Sequence, residues 1–170
     1  MGSKDHKESA EGESSARCAI VTVSDSRTPD SDTSGKEAFA ILTKFGHSVV
    51  RHDIVPNKPR KIAAALGRAL KGADLVLTIG GTGISRKDLS TEVVRKVLQK
   101  ELPGFGEIFR ALSLKEIGTA AILSRALLGV TSRGKIVAAL PGSGAAVRLA
   151  LEAILLPELK HLLWELRRYS

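Results

Sequence analysis

The chain has 170 residues, 43% of them hydrophobic, and a net charge of +8, which is enough apolar material for one domain with a buried core. No apolar run approaches the roughly 18 residues that cross a bilayer, Cys18 alone cannot form an intrachain disulfide, and His6, His47, His52 and His161 are too scattered for zinc; a cytoplasmic protein with no membrane partner is expected. The positive charge favours anionic partners such as phosphorylated metabolites, whereas aromatics at 4%, with no basic stretch interleaved among them, argue against nucleic acid.

In chain order, residues 1–17 are polar without apolar periodicity, so a disordered N-terminal tail is expected, followed by a single domain over 18–170. The run 18-CAIVTVSDSR-27 opens as a buried strand and ends in Ser24 and Asp25. The spacing of Phe39, Leu42 and Phe45 predicts a helix over 34–46, with Ser34 as its N-cap and Gly46 as its stop. A strand follows at 48-SVVRHDIV-55, then a loop punctuated by Pro56 and Pro59. A helix over 60–72 comes next, with Ile62, Leu66 and Leu70 on one face.

The continuous apolar run 73-ADLVLTIGG-81 reads as a strand buried on both faces of a parallel sheet. Helices are expected over 91–100 and from residue 103 to 118, strand-like segments at 119-TAAILSR-125 and 127-LLGV-130, and a strand at 135-KIVAAL-140. Beyond the turn 141-PGSG-144 the chain reads as helical to Trp164. Alternating strands and helices mean βαβ units and an α/β fold around a parallel sheet. The run 154-ILLPELKHLLWELRRY-169 carries more apolar residues than one exposed helix face needs, which points to a subunit interface.

In such folds ligands bind beyond the carboxyl ends of the strands, and the loop 80-GGTG-83 sits there. Glycine lets backbone amides approach an anion closely, and a helix entry adds partial positive charge. Thr82 and Ser85 offer hydroxyls, Arg86 and Lys87 offer cations, and Asp88 suits a magnesium ion shared with substrate phosphates. The plainer readings stand beside this: a glycine turn alone fits a phosphate loop and a simple corner about equally, and Asp88 or Ser90 could merely cap the next helix. Residues 129-GVTSRGKI-136 match GxxxxGK but place Ile136 where a P-loop needs Ser or Thr, and strand rather than helix follows, so they are no nucleotide loop. The turn 141-PGSG-144 enters a helix from a buried strand and could supply a second ligand contact.

With these segments in order, the chain resembles the molybdenum cofactor biosynthesis family that contains MoaB, Mog and the related domain of gephyrin. The resemblance covers residues 17–160. It rests on 21-VTVSDSR-27 with 32-DTSG-35, 78-TIGGTGISRKDLSTE-92, 103-PGFGEIFR-110, 117-IGTAAILSRALLGV-130 and 139-ALPGS-143. The runs 32-DTSG-35 and 113-SLKEIGT-119 are closer to the MoaB branch. The resemblance implies a three-layer α/β/α sandwich with a mostly parallel sheet, assembled as a homotrimer or homohexamer. It also implies transfer of AMP from MgATP to the terminal phosphate of molybdopterin, with release of pyrophosphate, ahead of molybdenum or tungsten insertion.

By resemblance, Asp88 is the acidic residue at the metal and reaction centre, and Gly80, Gly81, Thr82 and Gly83 form the phosphate loop, with Ser90 and Glu92 in the same motif. Ser24, Asp25, Pro141, Gly142 and Ser143 would border the nucleotide and pterin pocket. Gly104 and Glu107 of the PGFGE segment, with Ser124 and Arg125, would lie along its rim. The chain departs from the pattern at 54-IVPNKPR-60, where adenylylating members carry an aspartate in place of Asn57, the other expected catalytic position. An uncharged amide is a weaker magnesium ligand, so a second reading is a pterin- or nucleotide-binding member without turnover, acting as a carrier or as an assembly partner of other cofactor-assembly proteins.

Overall fold

Four apolar runs assemble into the centre of a sheet. The computed structural model describes residues 15–168, and the expected N-terminal tail lies outside the described residues as far as residue 14. Ala16 is already buried, and β1 (Arg17–Val23) begins one residue earlier than expected. It is followed by α1 (Thr33–Lys44), β2 (Ser48–Val55), α2 (Pro59–Leu70), β3 (Leu75–Ile79), α3 (Ser90–Arg95) and β4 (Lys100–Glu101). Then come α4 (Pro103–Ile117), a 3₁₀ segment (Gly118–Leu123), β5 (Leu127–Val130) and β6 (Ile136–Leu140). The chain closes with α5 (Gly144–Arg148), a π-helical stretch (Leu149–Leu155) and α6 (Leu156–Arg167).

The six strands lie in the order β2-β1-β3-β6-β5-β4. The first four run parallel, while β5 is antiparallel to β6 and β4 antiparallel to β5. Side chains alternate across the central strands. Cys18, Ile20, Leu75, Leu77, Ile79 and Ile136 pack on one face against α1, α4 and the C-terminal helices. Ala19, Val21, Val76, Val137 and Ala139 pack on the other against α2 and α3. A three-layer α/β/α sandwich results, as the family resemblance implies.

Four expectations need correction. Residues 119–125 are not strand-like: α4 ends at Gly118, with φ of 62°, and the chain continues as the 3₁₀ segment with Ile122 and Leu123 facing outward. The helix expected over 91–100 stops at Arg95, and Lys100–Glu101 become a polar edge strand beside β5. Asp32, not Ser34, caps α1, its carboxylate accepting from Gly35 N at 2.9 Å. The C-terminal apolar run is no free interface, because Leu155, Leu156, Leu159 and Leu163 are buried in this chain's own core. The π stretch there precedes Pro157, which has no N–H to donate back into the helix. The GxxxxGK match is the β5–β6 hairpin, closed by Thr131 N donating to Lys135 O at 2.9 Å, with Gly134 at φ 66°.

Register brings the strand ends level. Thr22 stands beside Ile79, and Ile79 beside Leu140, so the loops after β1, β3 and β6 leave the sheet side by side. The chain turns one way from β1 to β2 and the other way to reach β3, which leaves a crevice between the ends of β1 and β3.

Candidate functional site

The crevice is built by glycine. Gly80 N donates to Leu140 O at 2.9 Å, and Gly80 and Gly81 hold φ of 97° and 65°, a region that side chains disfavour. A Cβ on Gly80 would lie 2.5 Å from Val23 O, and one on Gly81 would run into Ser90 Oγ. The loop can therefore lie flat against the end of β1 only without side chains. Gly142 rests against Gly80 from the other side, where a Cβ would sit 3.4 Å from the Gly80 Cα.

These loops floor an open cleft of about 490 Å³, within the range of small-molecule sites. Ser24, Gly80, Gly81, Thr82, Gly83, Asp88, Ser124, Pro141, Gly142 and Ser143 all line it, so ten positions singled out in the sequence meet there. Its apolar wall comes from Ile79, Phe109, Ile117 and Leu149. Asp88 is held by its own loop: Oδ2 accepts from Ser85 N at 3.0 Å, and Asp88 N donates to Ser85 O at 3.0 Å. It does not cap α3, whose N-cap position is Leu89 with no side-chain bond. Ser90 is the first residue of that helix, its N donating to Gly81 O at 2.9 Å. Ser143 caps α5 through Ala146 N at 3.2 Å. Ser24 Oγ accepts from Ser26 N and Arg27 N, both at 3.2 Å, which rounds off the loop after β1.

The remaining expected residues lie elsewhere. Asp25 is exposed, and its Oδ1 accepts from Asn57 N at 2.9 Å, tying the loops after β1 and β2 together. The Asn57 side chain points behind the glycine loop: Oδ1 would lie 3.1 Å from a Cβ on Gly81, and it does not line the cleft. Asn57 Oδ1 and Ser90 Oγ are both buried with no hydrogen-bond partner. Glu92 is exposed and pairs with Arg125. Glu107 and Arg125 line a second hollow of about 280 Å³ with Arg95 and Arg110, and Ser124 borders both this hollow and the main cleft. Gly104 is exposed at the start of α4 and lines neither.

The sequence reasoning missed Thr22, Arg27, Ser34, Ser113 and Glu116 in the main cleft. Arg27 closes the quoted run VTVSDSR, and its positive charge was the available signal. Ser113 lies in the third turn of α4 and looks like filler until the helix is seen to back onto the cleft.

An open α/β sheet with glycine and serine loops gathered at the crevice is the architecture of proteins that hold small ligands at strand carboxyl ends. The chain belongs to the MoaB/Mog family of molybdenum cofactor biosynthesis: the family model described as a probable molybdopterin binding domain matches residues 19–161. It is 44% identical to molybdenum cofactor biosynthesis protein B of Bacillus anthracis over 171 aligned positions, which cover 99% of each chain. A crystal structure of a molybdenum cofactor biosynthesis protein B superposes with a TM-score of 0.88 at 43% identity, covering 93% of this chain and 99% of that one. The tungsten cofactor synthesizing protein MoaB from Pyrococcus furiosus superposes with a TM-score of 0.84 at 37% identity, covering 92% and 99%.

Proposed function

We propose that the protein is a cytoplasmic molybdopterin adenylyltransferase, transferring AMP from MgATP to the terminal phosphate of molybdopterin and releasing pyrophosphate. The observation that carries this is the meeting of the glycine loop, Asp88 and the Pro141–Ser143 turn in one cleft. In the reaction an oxygen of the molybdopterin phosphate attacks the α-phosphorus of ATP. The bond from that phosphorus to the bridging oxygen breaks, and its electron pair leaves with pyrophosphate. A protein contributes to such a transfer mainly by positioning reactants and offsetting charge. Gly80, Gly81 and Gly83 let amides come close to phosphate, Arg86 and Lys87 are exposed cations on the same loop, and Arg27 stands across the cleft.

The donor set fits magnesium. Asp88 Oδ2 is engaged by Ser85 N while the carboxylate faces the cleft. No group of three or more metal-ligating side chains is found among the described residues, and magnesium held by one carboxylate plus substrate phosphates needs none. Bound there, the ion would offset charge on the phosphates being exchanged. The names of the relatives above, one of molybdenum and one of tungsten cofactor synthesis, support the substrate and leave either metal downstream.

The second reading, a carrier without turnover, rests on the neutral Asn57. The place of that side chain behind the loop supports the first reading, because its amide does not face the cleft. Pyrophosphate release from ATP, with magnesium and with or without molybdopterin, separates the two. Release that depends on molybdopterin is expected of the wild type. A silent wild type, together with an active Asn57→Asp variant, would favour the carrier.

A further inference from the structure

Arg125 leaves the 3₁₀ segment just before β5, and its guanidinium turns inward beneath the glycine loop. Nε donates to Thr82 O at 3.1 Å and Nη2 to Asp88 O at 2.8 Å, while Nη1 pairs with the carboxylate of Glu92 on α3. Thr91 Oγ1 returns a longer bond to Arg125 O at 3.4 Å. Thr82 and Asp88 bracket the stretch 83–87, whose residues Ile84 to Lys87 are exposed. The stretch's own bonds are local ones among Ser85, Lys87 and Asp88. At the base of the loop, Ser90 N closes onto Gly81 O. Inside that base, the guanidinium takes one carbonyl at each end of the exposed tip and ties both to a different part of the chain.

Only arginine suits such a task. Its donors leave a rigid plane in fixed directions, so one side chain can serve two carbonyls and a carboxylate, which a single ammonium cannot do with the same geometry. Glu92 braces the far side of the fork. Burial alone would raise its carboxyl, but the bond from Arg125 and the charges of Arg125 and Arg95 outweigh it and hold it below the usual glutamate value.

We infer that Arg125 is a positioning residue that fixes the backbone of Asp88, and thereby aims its carboxylate into the cleft, rather than a substrate contact on the rim. This rests on the proposed adenylyl transfer for its consequence in turnover, but not for its consequence in loop order. Trypsin supplies the test of order, because Arg86 and Lys87 are exposed on the clamped stretch. Cleavage of a transiently opened segment tracks how often it opens.

Full-length wild type, Arg125→Lys, Arg125→Ala and Glu92→Gln are digested briefly and cleavage after Arg86 and Lys87 is followed by mass spectrometry, alongside melting temperature. Loss of the fork should speed those two cuts about tenfold or more in both Arg125 variants, with lysine failing to rescue and Glu92→Gln falling between. Should Arg125→Ala fail to fold, Arg125→Lys and Glu92→Gln carry the same comparison. In adenylyl transfer, kcat should fall and the half-saturating magnesium concentration rise, with the KM for ATP moving less. Folded Arg125 variants that are cut at the wild-type rate overturn the clamp, whatever their activity. Faster cutting with wild-type kcat and magnesium dependence overturns the link to Asp88. A wild type with no transfer refutes the proposed reaction, and the digestion still decides the clamp.

Discussion

Asp32 shows how much a single residue owes to its tertiary neighbours. Thr22 Oγ donates to its Oδ2 at 2.6 Å, His52 Nε2 lies 3.0 Å from the same oxygen, and Gly35 N donates to Oδ1. Burial alone would raise the carboxyl, but the bonds from Thr22, Gly35 and His52 and the charge of His52 outweigh it and hold it below the ordinary 3.8. His47 is held below the ordinary 6.5 by burial and by Lys160, and its Nδ1 accepts from Ala16 N at 3.1 Å. Both groups are lowered on folding, so both contribute stability above their unfolded values and lose it as pH falls. From neutral pH downward, unfolding free energy should be level as far as the ordinary histidine value, begin to fall below it, and fall more steeply below the carboxylate value. Urea titrations between pH 7 and 3 check this, and a curve that stays flat through the histidine range would contradict the part assigned to His47. Asp32→Ala removes a cap and the side-chain bonds to Thr22 and His52, and should cost about 1–3 kcal/mol. Sequence alone could not choose between Asp32 and Ser34 as the cap, since both are favoured types and the choice was made by Thr22 and His52 converging on the carboxylate from two strands. Burial likewise pushes the Cys18 thiol up to about 12, with the charge of Asp74 adding to the rise, so the single cysteine should resist alkylation in the folded protein.

At the scale of elements, the glycine loop and the C-terminal helix each make a prediction about stability. Gly81→Ala places a methyl into Ser90 Oγ at positive φ, and Gly80→Ala places one against the carbonyl of Val23, which cannot swing away. Each should lose on the order of 2–3 kcal/mol, seen as a lower denaturation midpoint with an unchanged slope. Leu159 in α6 is fully buried, and Leu159→Ala should cost about 2–5 kcal/mol even in dilute protein, where a residue serving only an interface would cost nothing to the monomer. The strands β1, β2, β3, β5 and β6 and the helices α1 and α2 were legible because their apolar periods are long. β4 was not, being two polar residues, Lys100 and Glu101, that pair only because β5 runs past them. The 3₁₀ segment misled for the reverse reason: TAAILSR has a strand's apolar content, yet Ile122 and Leu123 are exposed at 75% and 50%.

For the whole molecule, the apolar surface expected at the C-terminus lies elsewhere. Ile108, Leu114, Ile117, Ile122 and Leu123 are exposed along α4 and the 3₁₀ segment, beside the cleft that Ile117 and Leu123 help to line. We propose that a second copy of the chain covers that face in a threefold assembly, and light scattering should then give a multiple of three of the 18.0 kDa chain mass. Replacing Ile122 by Glu should weaken that assembly, and a monomeric wild type at micromolar concentration would contradict it. The location of the cleft could be read from the glycine loop and the strand order, because ligands of open α/β sheets lie beyond strand carboxyl ends. The inward turn of Arg125 and the placement of Asn57 behind the loop could not, since both depend on which way a side chain leaves its loop. The central claim is that Asp88, set in this cleft, supports transfer of AMP to molybdopterin. The measurement that tests it most directly follows ATP labelled at the α-phosphate into adenylylated molybdopterin, comparing wild type with Asp88→Asn at saturating magnesium. Label should move to molybdopterin with the wild type and fall by at least about a hundredfold with a variant that folds normally; equal transfer by the two proteins, or none by the wild type, would contradict the account.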